Sequence, residues 1–152
     1  MRTWTCALLA ALSIGVLAAG GPGGKVEYVG GTRADIPTGC TGKVQVIDPQ
    51  YFVFYSGKAS LRIPYEKINM LEYGQTVGRR VTMAVVISPL FMLSKKRAHF
   101  LTIDYSDENG REQALVFRVD KSAVRSVLVS LEAKTGLKVQ YQDDEARHGG
   151  KG

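Results

Sequence analysis

The chain has 152 residues, 45% of them apolar and 22% charged, with 20 basic against 14 acidic side chains. That length and balance suit one globular domain with its own core and exclude a collagen-like, low-complexity or acidic disordered chain. The excess charge is local: with Arg2 set aside, five cations, Arg79, Arg80, Lys95, Lys96 and Arg97, lie in a stretch free of acids between Glu72 and Asp104, and the remainder balances. A single basic cluster of this kind points to an oriented surface patch rather than to general affinity for nucleic acid.

The first twenty residues open with Arg2, run apolar from Cys6 to Ala19 and end in small residues, the pattern of a secretory signal peptide too short to span a bilayer comfortably. The expectation is an exported protein, periplasmic or extracellular, with a membrane-associated form as one option. Residues 21–24 read as a flexible Gly-rich leader, 25–141 as one domain and 142–152 as a disordered polar tail. Cys6 falls in the signal, which leaves Cys40 as the one cysteine and no internal disulfide.

From Lys25 the pattern is strand after strand. Val26–Gly30 is followed by a loop rich in Gly, Pro and Thr, then by an alternating segment from Gly42 to Ile47. Tyr51–Tyr55 is almost wholly aromatic and β-branched, so it predicts a strand buried on at least one face. A tight turn at Ser56-Gly57-Lys58 leads to a strand ending at Pro64, and a fifth strand runs from Ile68 to Tyr73. Spacers this short leave no room for crossover helices, so the sheet is antiparallel.

His99–Tyr105 alternates, with His99, Leu101, Ile103 and Tyr105 on one face and Phe100, Thr102 and Asp104 on the other. An Asn-Gly pair at 109–110 predicts a hairpin to Gln113–Val119. Asp120 is placed to cap a helix over Lys121–Thr135, with Val124, Val127, Leu128 and Leu131 on its apolar face and Gly136 as its stop. Leu137–Tyr141 reads as a last edge strand.

Between the fifth and sixth predicted strands, residues 81–94 carry no charge and are fenced by Arg79-Arg80 and Lys95-Lys96-Arg97. Three readings stay open. The stretch is core; or it is a hairpin or interfacial helix dipping into a membrane with both basic flanks on one side; or it is a partner site anchored by Phe91 and Met92. As one helix it would reach only about 21 Å, short of a hydrocarbon core of about 30 Å. The candidate contact residues are Val86, Ile87, Leu90, Phe91 and Met92, with Arg79, Arg80, Lys95, Lys96 and Arg97 as a basic collar.

Catalytic constellations are hard to assemble. His99 sits in a strand and His148 in the tail, and with one cysteine they give no credible zinc set. Asp107, Glu108 and Asn109 lack the spacing of a calcium loop and suit a turn better. Gly39-Cys40-Thr41-Gly42-Lys43-Val44 departs from a phosphate loop at both ends, with Pro37 where the first glycine belongs and Val44 where Ser or Thr must stand. No catalytic residue, metal or cofactor is expected. Nucleic acid is not an expected partner either, because the basic cluster flanks aliphatics rather than base-stacking aromatics.

Seven strands closed by a C-terminal helix is the order of the pleckstrin-homology (PH) superfold. Leu61-Arg62-Ile63-Pro64-Tyr65-Glu66-Lys67-Ile68 resembles the middle of bacterial PH-like and GRAM-like domains, and the hairpin His99–Val119 with the following helix fits the same plan. Leu71-Glu72-Tyr73-Gly74-Gln75, Gly78-Arg79-Arg80, Ser88-Pro89-Leu90 and Ser94-Lys95-Lys96-Arg97 resemble a group of small exported, uncharacterised bacterial proteins. The resemblance implies a mostly β domain, a PH-like curled antiparallel sheet or barrel of about seven strands with one C-terminal helix and an apolar insertion at 81–94. It implies a binding or scaffolding module, and with no catalytic constellation found the expectation is a non-catalytic one. The loop between the first two strands holds only Arg33 and Lys43 near its ends, so no phosphoinositide site is carried over. The function expected is contact with a membrane surface or a partner through 81–94 and its collar. A scaffold that self-associates into a homo-oligomer is the alternative, and a small-molecule carrier using the interior of the sheet is a third.

Overall fold

The computed structural model describes residues 21–57, 59–77, 86–87, 98–142 and 144–151. The expected signal peptide lies outside them. Within them the chain is mostly β, with one main helix near the C-terminus.

Strand β1 (Gly23–Gly31) is the spine of a curled sheet that does not close. On one side it pairs antiparallel with β2 (Thr41–Gln45), from which the meander continues through β3 (Tyr51–Ser56) to β4 (Ala59–Pro64). A 3-10 turn at Tyr65–Lys67 leads into β5 (Ile68–Gly74). A two-residue strand, β6 (Val86–Ile87), comes next, and then β7 (His99–Ser106) and β8 (Glu112–Val119). The other side of β1 takes β8, which pairs with β7, which pairs with β5. The resulting order is β4-β3-β2-β1-β8-β7-β5, extended by β9 (Gln140–Tyr141), parallel to β5.

The alternation in the sequence sets which residues turn inward. Phe52, Phe54, Leu61, Ile63, Leu101, Ile103, Leu115 and Phe117 are buried in one core, as their spacing predicts. Phe117 is the hub, with ring centroids 5.1 Å from Phe54, 5.8 Å from Tyr28 and 6.0 Å from Phe52. These tilted and edge-on pairs satisfy the ring quadrupoles while burying large apolar area.

Helix α1 (Lys121–Thr135) closes one end of the curl. The Asp120 side chain accepts from the Ser122 amide at 3.0 Å, which satisfies one of the orphan donors of the first turn. Val124, Val127, Leu128 and Leu131 are buried, and Gly136 ends the helix at φ 73°, a left-handed conformation that costs glycine nothing.

Two expectations are corrected. The Gly-rich leader is not free, since Gly23 and Gly24 already pair with Gln45 and Val44. A side chain on Gly24 would collide with Ala123 of α1, so the glycine allows strand and helix to meet closely. The polar tail, expected to be disordered, forms helix α2 (Asp144–Lys151). Its Ala146 is fully buried, and Gly150 packs so close to Tyr141, Leu128 and Tyr73 that a Cβ there would crowd them. Small residues, Ala146 and Gly150, dock this helix against the core.

Candidate binding surface

Of the residues singled out in the apolar stretch, Val86 and Ile87 form β6 and pair with Gly31 and Gly30 of β1. They occupy the edge of β1 beyond the point where β2 stops at Glu27. A register shift between Tyr28 and Gly30 lets β1 turn Val29 to the outer face of the sheet. There Val29, Phe100 and Val116 make a second, smaller core, and Val77, Ile87 and Ala98 are partly buried against it. Residues before, within and after the stretch therefore share one outer patch. Arg79, Arg80, Leu90, Phe91, Met92, Lys95, Lys96 and Arg97 lie outside the described residues.

Next to this patch the outer face becomes acidic. Glu72 pairs with Thr102 across β5 and β7, and both are buried. The Gln142 amide donates to Glu72 Oε1 at 2.7 Å. Asp104, two residues along β7, has its Oδ1 buried with no hydrogen-bond partner among the described residues. Burial first, then the charges of Glu72 and Glu112, push its carboxyl up to about 6. Sequence alternation assigns Asp104 to the outer face, but only the fold brings Glu72 and Glu112 near it.

His99 is half-buried, and its Nδ1 lies 2.5 Å from the Tyr73 hydroxyl. Burial, followed by the nearby charge of Lys121, holds it below its ordinary value against the opposing pull of Asp120. Burial also lifts the Tyr73 phenol to about 12. Near neutral pH the imidazole is thus unprotonated and the phenol protonated, and the two rings are tied by this hydrogen bond.

The other chemical motifs resolve into local structure. In the loop before β2 the Gly39 amide donates to Tyr28 O at 2.7 Å and the Cys40 amide to Pro37 O at 3.3 Å, so these donors are not turned toward a phosphate. Asp107 Oδ1 accepts from the Asn109 and Arg111 amides at 2.8 and 2.9 Å, which makes it the organiser of the β7–β8 corner. Among the described residues no group of three or more His, Cys, Asp or Glu side chains is placed to hold a metal ion. Cys40 is half-buried and packs against the main core.

No protein-family model matches this chain, and no curated protein matches it.

Proposed function

We propose that this is a non-catalytic, exported, PH-like binding module that attaches to an anionic membrane surface through residues 81–94 and their basic collar. The observation that carries the reading is the fourteen-residue charge-free run between Arg79-Arg80 and Lys95-Lys96-Arg97. It is supported by the packing of Val77, Ile87 and Ala98 on one outer patch, because points before, within and after the run then lie on one face of the sheet, and both basic flanks can meet the same membrane surface. The commitment of His99 to Tyr73 and of Asp107 to its own corner favours binding over catalysis. Each collar cation near an anionic leaflet adds about 1 kcal/mol, an attraction that salt weakens.

The test is co-sedimentation with neutral and with anionic liposomes, beside a Phe91→Asp variant checked for a cooperative melt. The wild type should pellet with anionic vesicles at low salt, and a folded Phe91→Asp should stay in solution. Wild type that stays in solution with both vesicles ends the membrane reading. A folded variant then directs the search to a protein partner or a second copy, and an unfolded one returns the stretch to the core.

A further inference from the structure

One residue of the C-terminal segment, Gln142, is tied to β5 three times. Its main-chain amide donates to Tyr73 O at 3.1 Å, its side-chain amide donates to Glu72 Oε1 at 2.7 Å, and its Oε1 accepts from the Thr76 hydroxyl at 3.3 Å. Glu72 is buried, so the bond it accepts is the costly one to break. Gly74 stands between these partners. A Cβ on Gly74 would overlap the Gln142 carboxamide, so the missing side chain is the notch that seats it.

These contacts straddle the place where the chain leaves the sheet. β5 ends at Gly74, and Thr76 is followed by Val77, which is partly buried against the outer patch of Val29, Phe100 and Val116. In the sequence Arg79-Arg80, the first half of the basic collar, comes directly after. Helix α2 keeps Gln142 in its notch. Eight residues with two glycines near the end do not make a helix that persists by itself. It stands because Ala146 is buried and Gly150 lies against Tyr141, Leu128 and Tyr73. β9 adds a two-residue pairing with Glu72 and Tyr73. A strap held this way, made of β9, Gln142 and α2, lifts by local unfolding while the rest of the sheet and α1 stay folded.

We propose, resting on the membrane reading above, that Gln142 is a latch: through it the docked strap holds residues 74–77 in place for membrane contact, and undocking of the strap slackens them and weakens that contact. Gln142 is thus a positioning residue for the membrane site, and the docking of α2 is the means of regulating it. The physical basis is preorganisation. With the latch closed, residues 74–77, which lead to Arg79-Arg80, are ordered before a bilayer arrives; with it open, binding must supply that ordering.

Two variants open the latch from different ends. Gln142→Ala removes the side-chain bonds, whereas Gly150→Val crowds Tyr141, Leu128 and Tyr73 and lifts α2 without touching Glu72 or Thr76. Backbone NMR order parameters of the free protein read the latch, and co-sedimentation with anionic liposomes at low salt reads its consequence. Each variant should keep a cooperative melt, lower the order parameters at residues 75–77, and weaken vesicle binding at least about threefold. Gly74→Ala, which fills the notch, should act like Gln142→Ala. The double variant of Gln142→Ala with Gly150→Val should bind no more weakly than the weaker single, since the second change finds the latch already open. Unchanged order parameters at 75–77 in both single variants overturn the latch. So do vesicle losses that add in the double variant, or single variants that bind anionic vesicles as the wild type does. Wild type that stays in solution while the order parameters respond as expected ends the membrane reading instead, and the regulatory role with it.

Discussion

The Tyr73 hydroxyl meets Nδ1 of His99 at 2.5 Å, and the two rings lie nearly parallel, 12° apart, with centroids separated by 6.1 Å. With the imidazole kept neutral and the phenol kept protonated, we assign the bond as Oη–H donating to Nδ1, which leaves the ring proton on Nε2. His99 in the fold titrates below 6.5, its value when unfolded. As pH falls through 6.5 the unfolded chain takes up its proton first, so stability falls until the folded imidazole is also protonated. Tyr73→Phe removes a bond that only the unprotonated Nδ1 accepts. Its expected effect is an upward move of the His99 midpoint toward 6.5, read from imidazole proton shifts against pH; an unmoved midpoint would refute the assignment.

Asp104 works in the opposite sense. Its carboxyl is raised from 3.8 to about 6, so the folded state holds a proton that the unfolded chain has already released. Its contribution to stability is largest below the unfolded value and is lost as pH rises through about 6. Asp104→Asn should therefore raise the melting temperature relative to wild type at pH 8, and the gap should vanish near pH 4. Paired thermal melts at the two pH values decide it, and a gap of equal size at both would refute the charge argument.

Phe117 touches Tyr28, Phe52 and Phe54, three aromatic rings from two other strands. Phe117→Ala should cost about 3–5 kcal/mol, since a ring-sized cavity between a sheet and its partners collapses poorly. Denaturant unfolding measures this, and a loss below about 1 kcal/mol would mean that the hub is not a hub.

Gly136 and Gly57 both have open space where a side chain would go, but only Gly136 has a positive φ, of 73°. Gly136→Ala should destabilise by about 1–2 kcal/mol through backbone strain alone. Gly57→Ala should stay within about 0.5 kcal/mol. Equal effects in the two variants would refute the assignment of the cost at Gly136 to its left-handed conformation.

The main strands, helix α1 and its cap were legible in the sequence because each is encoded within a few residues. A period of two in Phe52/Phe54, Leu101/Ile103 and Leu115/Phe117, a period near 3.6 from Val124 to Leu131, and Asp120 and Gly136 at the helix ends all act locally. The apolar run 81–94 was equally visible, while its anchorage at Ile87 on Val29, Phe100 and Val116 was not.

What tertiary structure alone decided are meetings between residues far apart in the chain. Gly24 lies against Ala123, Gly150 against Tyr141 and Leu128, Glu72 and Glu112 near Asp104, and His99 against Tyr73. The edge of β4 belongs with them: among the described residues β4 pairs with β3 alone, because β5 pairs with β7 instead of back to β4. Local pattern tells a residue which way to face; what it faces is set by how the sheet curls and where it stops pairing, and those follow from packing of the whole core at once.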